Sequence, residues 1–414
     1  MGSVVDSKLL SFGDARRLVE EYALTLSPTQ LELVSLPDSY GLVLAEDLRA
    51  DRDFPPFPRS TRDGFAVRAT DVKTAPTQLR CIGEIKAGAS FEESAVRVRE
   101  GECVEIMTGA PVPAGADAVV MVEFTERNGD SIAVQRSVTA GDNVVAKGAE
   151  AQRGAVMVSR GSRVNHTIIA IAAAIGCAEI AVARRPRVAI LATGDELVDI
   201  NLRPGPNEIR NSNSYSLAAQ VQAAGGEPII LPVARDEAGE LALLLRKGLE
   251  AELLLITGGV SMGKYDLVEQ VLASLGARVF FTGAQIQPGR PVVCGEVKAA
   301  ARFTPFFGLP GNPVSTMVTF HLFARPLLDA LSGARPQPLN FAQARLKSDF
   351  NTRTGLTRFL PARLQGTHER PEVELLRWHG SGDLMAASQA NCYIVVPPEQ
   401  DRFCAGDAVT ILLF

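Results

Sequence analysis

Paired cysteines and clustered histidines are both missing from this sequence. Its six cysteines, Cys81, Cys103, Cys177, Cys294, Cys392 and Cys404, include no C-x-x-C pair, and His166, His321, His368 and His379 lie far apart. A zinc site of the usual ligand spacing is not expected. Scattered cysteines in a long chain fit free thiols in a reducing cytoplasm. One tryptophan and 6% aromatic residues leave no platform for stacking successive bases. No single sign of charge dominates: the net charge of −5 is spread over interspersed acids and bases, which argues against nucleic acid as a partner but allows a local basic pocket. The start, MGSVVDSKLLSFGDARR, lacks a cationic stretch followed by an apolar core and does not read as a signal peptide. The longest apolar run, residues 167–183, contains Gly176 and Glu179. It reads as a buried helix running into a strand, so no membrane span is expected.

What the chain does have is length and alternation. Its 414 residues exceed one core, so several domains are expected. Residues 12–26 have the period of an amphipathic helix stopped by Ser27-Pro28. The segment Asp53-Phe54-Pro55-Pro56-Phe57-Pro58 blocks helix and central strand, leaving an ordered loop. Residues 64–146 hold short β-like runs broken by glycine and proline, the pattern of a small all-β domain. From Arg187, apolar runs at 188–192, 228–231 and 253–256 alternate with helical patterns at 215–224, 237–249 and 266–275, and a long helix is expected over 313–331. This predicts βαβ units, a parallel sheet covered on both faces, and ligands outside the carboxyl ends of its strands. After about residue 337 the chain reads as a small β-barrel or sandwich. The expected fold class is α/β plus β, with four parts. These are a parallel-sheet three-layer α/β domain (186–335), a small β-rich domain (51–146), a discontinuous N-terminal and linker domain (1–50 with 147–185) and a C-terminal β-barrel (336–414).

Four loops can carry chemistry. In Thr193-Gly194-Asp195-Glu196-Leu197, two adjacent acids at a strand's carboxyl end can hold Mg²⁺, although a solvated turn has the same composition. The run from Thr257 through Gly258, Gly259 and Ser261 to Asp266 joins a strand to a helix. Its glycines let backbone N–H groups curl around an anion, and Asp266 either stabilises the helix dipole or reaches a cation. In Gly308-Leu309-Pro310-Gly311-Asn312-Pro313-Val314-Ser315, Asn312 suits an N-cap and Ser315 sits in the first turn facing an anion. A well-capped helix without ligand explains the Asn-Pro pair equally. In Ile286-Gln287-Pro288-Gly289-Arg290-Pro291, Arg290 can clamp an oxyanion or stand solvated. In the β-rich half, the strings around Asp63-Gly64 and Met107-Thr108-Gly109 are turns by default. From the residues alone, the α/β domain binds a phosphorylated or oxyanionic ligand with a cation, flanked by β modules.

Taken in order, six strings resemble the molybdopterin molybdenumtransferase (MoeA) family, which is similar to the E domain of gephyrin. They are Pro55 to Val67, Met107 to Pro113, Thr193 to Leu197, Thr257 to Gly263, Gln287 to Pro291 and Leu309 to Ser315, and the resemblance runs from about residue 12 to the end. It implies an elongated homodimer of four-domain subunits. The active-site cleft would lie between the α/β domain of one subunit and the small β domain of the other. Asp63 and Thr108 would then face Glu196, Asp266 and Ser315. It also implies adenylylated molybdopterin and molybdate as substrates, Mg²⁺ as cofactor, and transfer of molybdenum to the dithiolene sulfurs with release of AMP. Residue by residue, the implied catalytic set is Asp63, Thr108, Glu196 and Asp266, with Asp195, Glu196 and Asp266 on the metal. The implied substrate-binding set is Thr193, Gly194, Asp195, Asn211, Gly258, Gly259, Ser261, Gln287, Arg290, Pro310, Gly311, Asn312, Ser315 and Arg358. Implied partners are the adenylyltransferase of the preceding step and the molybdoenzymes that accept the product.

The sequence also departs from the family pattern. Arg62 and Phe65 stand where the S-x-M-D-G-Y string has Met and Tyr, and Gly148-Ala149-Glu150 replaces Gly-Glu-Asp. Gln287 and Arg290 replace the two lysines of K-P-G-K-P, Gly283 an upstream lysine, and Asn211 the acid of I-Y-D-x-N. Fewer lysines weaken the attraction for molybdate or phosphate. The alternatives are a paralogue preferring tungstate and a pterin-binding or assembly protein without turnover. The adenylyltransferase itself lacks the Pro-Pro-Phe and Met-Thr-Gly-Ala-Pro modules.

Overall fold

The computed structural model describes residues 9–28, 30–90, 95–259, 267–299 and 302–414. At its centre is a six-stranded sheet in the order Glu227–Ile230, Arg187–Ala192, Leu253–Thr257, Arg302–Leu309, Val293–Ala299, Arg278–Phe281. The first four strands are parallel, as expected from the alternating pattern. The last two pairings are antiparallel, Val293–Ala299 running against both of its neighbours, so the sheet is mixed at one edge. Along Arg187–Ala192, Val188 and Ile190 enter one core while Ala189 and Leu191 enter another. Successive side chains point to opposite faces, so both faces are covered and the strand reads as a continuous apolar run.

Helices Asn213–Ala223, Ala238–Gly248 and Leu267–Ser274 lie close to the expected spans. The long helix is present but not uniform: Pro313–Thr319 and Arg325–Leu331 are α-helical, and Phe320–Ala324 between them is a π-turn. Helix Phe12–Ala23 is shorter than the expected 12–26 and starts at Ser11, whose hydroxyl accepts from the Asp14 N–H at 3.1 Å.

The apolar run at 167–183 does become a helix, His166–Ala174, and a strand, Glu179–Ala183. The helix is not buried: Ala172 alone is fully covered, while Ile168 and Ile169 pack partly against the linker core. The strand pairs with Leu31–Ser35 and Val43–Leu44, and Val156–Val158 pairs with Leu48–Arg49. Segments on either side of the small β domain thus share sheets. That β domain is a mixed sheet in the order Thr125–Asn128, Ser131–Val134, Thr77–Ile85, Glu102–Ile106, Gly64–Val67, Ala118–Met121.

The C-terminal strands Thr357–Gly366, Pro371–Leu375, Phe341–Leu346, Ala408–Leu413 and Cys392–Val396 pair in that order. The last returns to the first, closing a five-stranded barrel. Strand Ile286–Gln287 adds to the barrel strand Thr357–Gly366. Phe12 meets Phe323 and Phe359 edge-on, at 6.2 and 5.2 Å between ring centroids. One core therefore joins the N-terminal helix, the α/β domain and the barrel. All six cysteines are free. Among the described residues no helix is long and apolar enough to cross a membrane.

Gly64 sits where two strands leave no space for a side chain. A Cβ there would lie 1.9 Å from the Val120 carbonyl oxygen. Gly64→Ala is expected to destabilise the chain by about 3 kcal/mol or more, because the strands must part to admit a methyl group. Equilibrium denaturation reads this as a lower midpoint; an unchanged midpoint would show that the sheet yields there freely.

Candidate active site

Three of the four loops follow neighbouring parallel strands, and the fold gathers them around a cleft of about 520 Å³. The Thr193 N–H donates to the Thr257 carbonyl at 2.9 Å, and the Gly258 N–H to Leu309 at 3.3 Å. At this approach only glycine fits. A Cβ on Gly258 (φ +85°) would lie 2.4 Å from the Thr193 carbonyl oxygen, and one on Gly259 (φ +61°) 2.7 Å from Thr193 Oγ1. Thr193, Gly194, Glu196, Asn211, Gly258, Gly259, Pro310, Gly311 and Asn312 all line the cleft.

The sequence reading missed Asn213, which lines the same cleft. Its Nδ2 donates to Thr257 Oγ1 at 2.9 Å and to the Gly311 carbonyl at 2.7 Å. Its Oδ1 and Thr193 Oγ1 are buried without a hydrogen-bond partner among the described residues. Leaving such an atom unsatisfied costs about 1–3 kcal/mol, which a ligand can recover. Asn211, by contrast, is occupied at the helix start: its Nδ2 donates to Ser214 Oγ at 2.9 Å and its Oδ1 accepts from the Ser214 N–H at 3.1 Å.

One rim of the cleft is acidic. Glu196 and Asp236 line it; Asp195 does not, its Oδ1 accepting from the Asp236 N–H at 3.2 Å. Burial pushes the Asp236 carboxyl above its ordinary value, and the charges of Asp195 and Glu196 push it further. Asp236 was also missed by the sequence reading. The only signal was its place beyond the parallel strand Glu227–Ile230, with no glycine-rich turn to mark it. Among the described residues no group of three acids, histidines or cysteines forms a ready metal cage. Ser261 and Asp266 lie outside the described residues.

A second pocket, of about 410 Å³, shares Pro291, Pro310 and Asn312 with the cleft. It holds the expected Gln287, Arg290 and Ser315, and the C-terminal domain adds Leu356, Trp378 and Ser381. No acidic residue is among its described lining residues. Arg358 pairs in register with Gln287 on the neighbouring strand. It is buried, gives its Nε–H to the Arg353 carbonyl at 3.0 Å, and lines neither cavity. Burial, then the nearby Arg353, lowers its pKa.

Asn312 stands at the N-cap position but its side chain does not cap the helix. Instead its Nδ2 donates to Ser381 Oγ at 2.8 Å, and the Val314 N–H donates to the Ser381 carbonyl at 2.9 Å. In the small β domain, Asp63 Oδ1 accepts from the Thr108 N–H at 2.6 Å and from Thr108 Oγ1 at 2.8 Å. These bonds hold the exposed Asp63 carboxyl below its usual range. Neither residue lines the cavities of its own chain.

Glycine loops at parallel strand ends, with a pocket shared between an α/β domain and a β-barrel and free of acids among its described residues, define a multidomain protein of the class whose chemistry suits an oxyanionic or phosphorylated ligand. Comparison with known proteins narrows this. Residues 10–176 match the MoeA N-terminal region (domain I and II), residues 189–330 the probable molybdopterin binding domain, and residues 343–414 the MoeA C-terminal region (domain IV). The chain is 35% identical over 394 residues to the molybdopterin molybdenumtransferase of Bacillus subtilis (strain 168), covering 93% of this chain and 90% of that one. It is 34% identical over 400 residues to the molybdopterin molybdenumtransferase of Nostoc sp., covering 93% and 89%. The crystal structure of a molybdopterin biosynthesis moeA protein from Pyrococcus horikoshii OT3 matches with a TM-score of 0.79 at 29% identity, covering 98% of this chain and all of the other. The chain belongs to the molybdopterin molybdenumtransferase family, and it is a transferase of molybdenum cofactor biosynthesis.

The acidic rim has a measurable signature. A carboxyl raised by folding adds stability below its ordinary pKa and loses it as pH rises through the folded value. Asp236→Asn is therefore expected to melt at a higher temperature than the unaltered chain at pH 7, with the difference shrinking as pH falls towards 3.8. Thermal unfolding across that range checks it. A lower melting temperature at pH 7 would mean that donors hold the carboxylate more strongly than its neighbours repel it.

Proposed function

We propose that the chain is a molybdenum insertase, which ligates molybdate to the dithiolene of adenylylated molybdopterin and releases AMP in a Mg²⁺-dependent reaction. The carrying observation is the adjacency of two spaces of different chemistry. A cleft lined by Glu196, Asp236 and Arg210 shares Pro291, Pro310 and Asn312 with a pocket that has Arg290 and Ser315 and no acid in its described lining.

Molybdate is a dianion and is matched by guanidinium, amide and hydroxyl donors. Arg290, Gln287 and Ser315 supply these, with Arg358 adding positive charge nearby. Thr193 Oγ1 and Asn213 Oδ1, without a partner among the described residues, would offer hydrogen-bonding capacity to the phosphorylated pterin, beside the Gly258-Gly259 backbone. The acidic rim fits Mg²⁺ by donor chemistry: its carboxylates are hard oxygen ligands, and their mutual repulsion at Asp236 is relieved by a cation. Glu196 and Asp236, with Asp195 and Asp266, would hold the ion, which would offset phosphate charge as the adenylate is cleaved. Asp63, kept ionised by Thr108, would reach the cleft from the partner subunit of a homodimer and position the metal or a water. A cytoplasmic location, and hand-over from the adenylyltransferase to molybdoenzymes, belong to the same proposal. So does the division into domains 1–50 with 147–185, 51–146, 186–335 and 336–414.

The test is incubation of the purified protein with adenylylated molybdopterin, Mg²⁺ and molybdate, following AMP release and reconstitution of an apo-molybdoenzyme. Molybdate-dependent AMP release with active cofactor is expected. Binding without AMP release would make the chain a pterin carrier, and release driven by tungstate alone would assign it to the heavier oxyanion. Asp63→Asn and Glu196→Gln should each lower kcat/KM by about 10²-fold or more. Unchanged turnover in either would remove that residue from the catalytic set.

A further inference from the structure

The pocket beside Arg290 is too large for molybdate alone. A tetrahedral oxyanion displaces on the order of two or three waters, or ~60–90 Å³ at ~30 Å³ per water. The pocket holds about 410 Å³. Much of its lining is apolar: Ile286, Leu356 and Trp378 stand with Pro288 and Pro291. Such a mixed lining suits a flat ring system seated beside an oxyanion.

Trp378 is the only tryptophan of the chain. Its half-buried indole packs against both the core shared with the α/β domain and the core of the barrel, and still lines the pocket. Three residues further on, Ser381 is tied to the helix start by the Asn312 and Val314 hydrogen bonds. The ring is thus held from both domains at the seam where they meet. We infer that Trp378 is a substrate-binding wall on which the planar nitrogen heterocycle of the substrate stacks, beside the molybdate that Arg290 and Ser315 take. This rests on the insertase reading, in which the substrate carries two such heterocycles, a pterin and an adenine. Stacking on an aromatic side chain tolerates either ring, because each presents a π-face.

A sole tryptophan makes its own fluorescence the readout, in the full-length, unaltered protein. Adenylylated molybdopterin is expected to quench it saturably, and ribose 5-phosphate, which has a phosphate and no ring, is expected not to. Quenching by AMP as well would place adenine on the wall; quenching by the full substrate and by molybdopterin, but not by AMP, would place the pterin there. Trp378→Leu, which keeps apolar bulk without a π-face, should raise KM for the adenylylated substrate about tenfold and lower kcat less, and Trp378→Phe should recover most of that loss. Absence of quenching while AMP release proceeds would overturn the wall and leave the insertase standing. Saturable quenching without AMP release would do the reverse. Equal quenching by ribose 5-phosphate would also overturn it, since the ring would then be irrelevant.

Discussion

Thr257 ends the central parallel strand with its carbonyl accepting from the Thr193 N–H and its hydroxyl placed between two further loops. That hydroxyl accepts from Asn213 Nδ2 and donates to the Pro310 carbonyl at 3.2 Å. One residue thus fastens together the acidic loop, the start of helix Asn213–Ala223 and the loop that opens Pro313–Thr319. The junction is possible only because Gly258 and Gly259 have no side chains to collide with Thr193. Parallel strands bring their carboxyl ends to one edge of the sheet, and ligands of such sheets bind there. The cleft exists because the backbones at that edge can approach within hydrogen-bonding distance of one another.

The domains are joined by shared interior rather than by flexible linkers alone. Phe12, Phe323 and Phe359 come from the N-terminal helix, the π-turn and the barrel, and meet in one core. Strand Ile286–Gln287 belongs by pairing to the barrel, yet its loop continues into Arg290 and the α/β domain. The Ser381 carbonyl satisfies an N–H at the start of the helix that carries Ser315. The C-terminal domain thus helps to orient the helix start beside the pocket that holds Arg290 and Ser315.

Charge differs between the two ends of the groove, with carboxylates beside Arg210 in the cleft and Arg290 in the pocket. At one end burial, and then the charges of Asp195 and Glu196, raise the Asp236 carboxyl above its ordinary value. At the other, Arg290 faces a pocket without acids among its described residues, and Arg358 is buried next to Gln287. Ligands of opposite charge can bind side by side in such a groove, each lowering the electrostatic cost of its own end. Asp63 adds a carboxylate of a different kind, held ionised by two donors from Thr108 rather than repelled by neighbours.

Local pattern determined much of this. Apolar runs of four or five residues marked three of the four parallel strands, because a strand covered on both faces needs no polar alternation. The glycine loops, the Asp63 turn and the late β-rich segment were each legible, since turn and strand chemistry acts over a few residues. Other features were not local. The antiparallel edge depends on Val293–Ala299 folding back on Arg302–Leu309. The surface position of His166–Ala174 depends on what packs beside it, not on its apolar composition. Asn312 has the residue type of a cap, but the barrel's Ser381 offered its side chain another partner. Asp236 and Trp378 carry no motif and reach the groove only through strand order and the docking of the barrel. The sequence by itself determined which segments become strands, helices and loops, through the short-range physics of burial and backbone conformation. The tertiary structure alone decided which side chains meet around the groove, because that depends on register and packing between residues far apart in the chain.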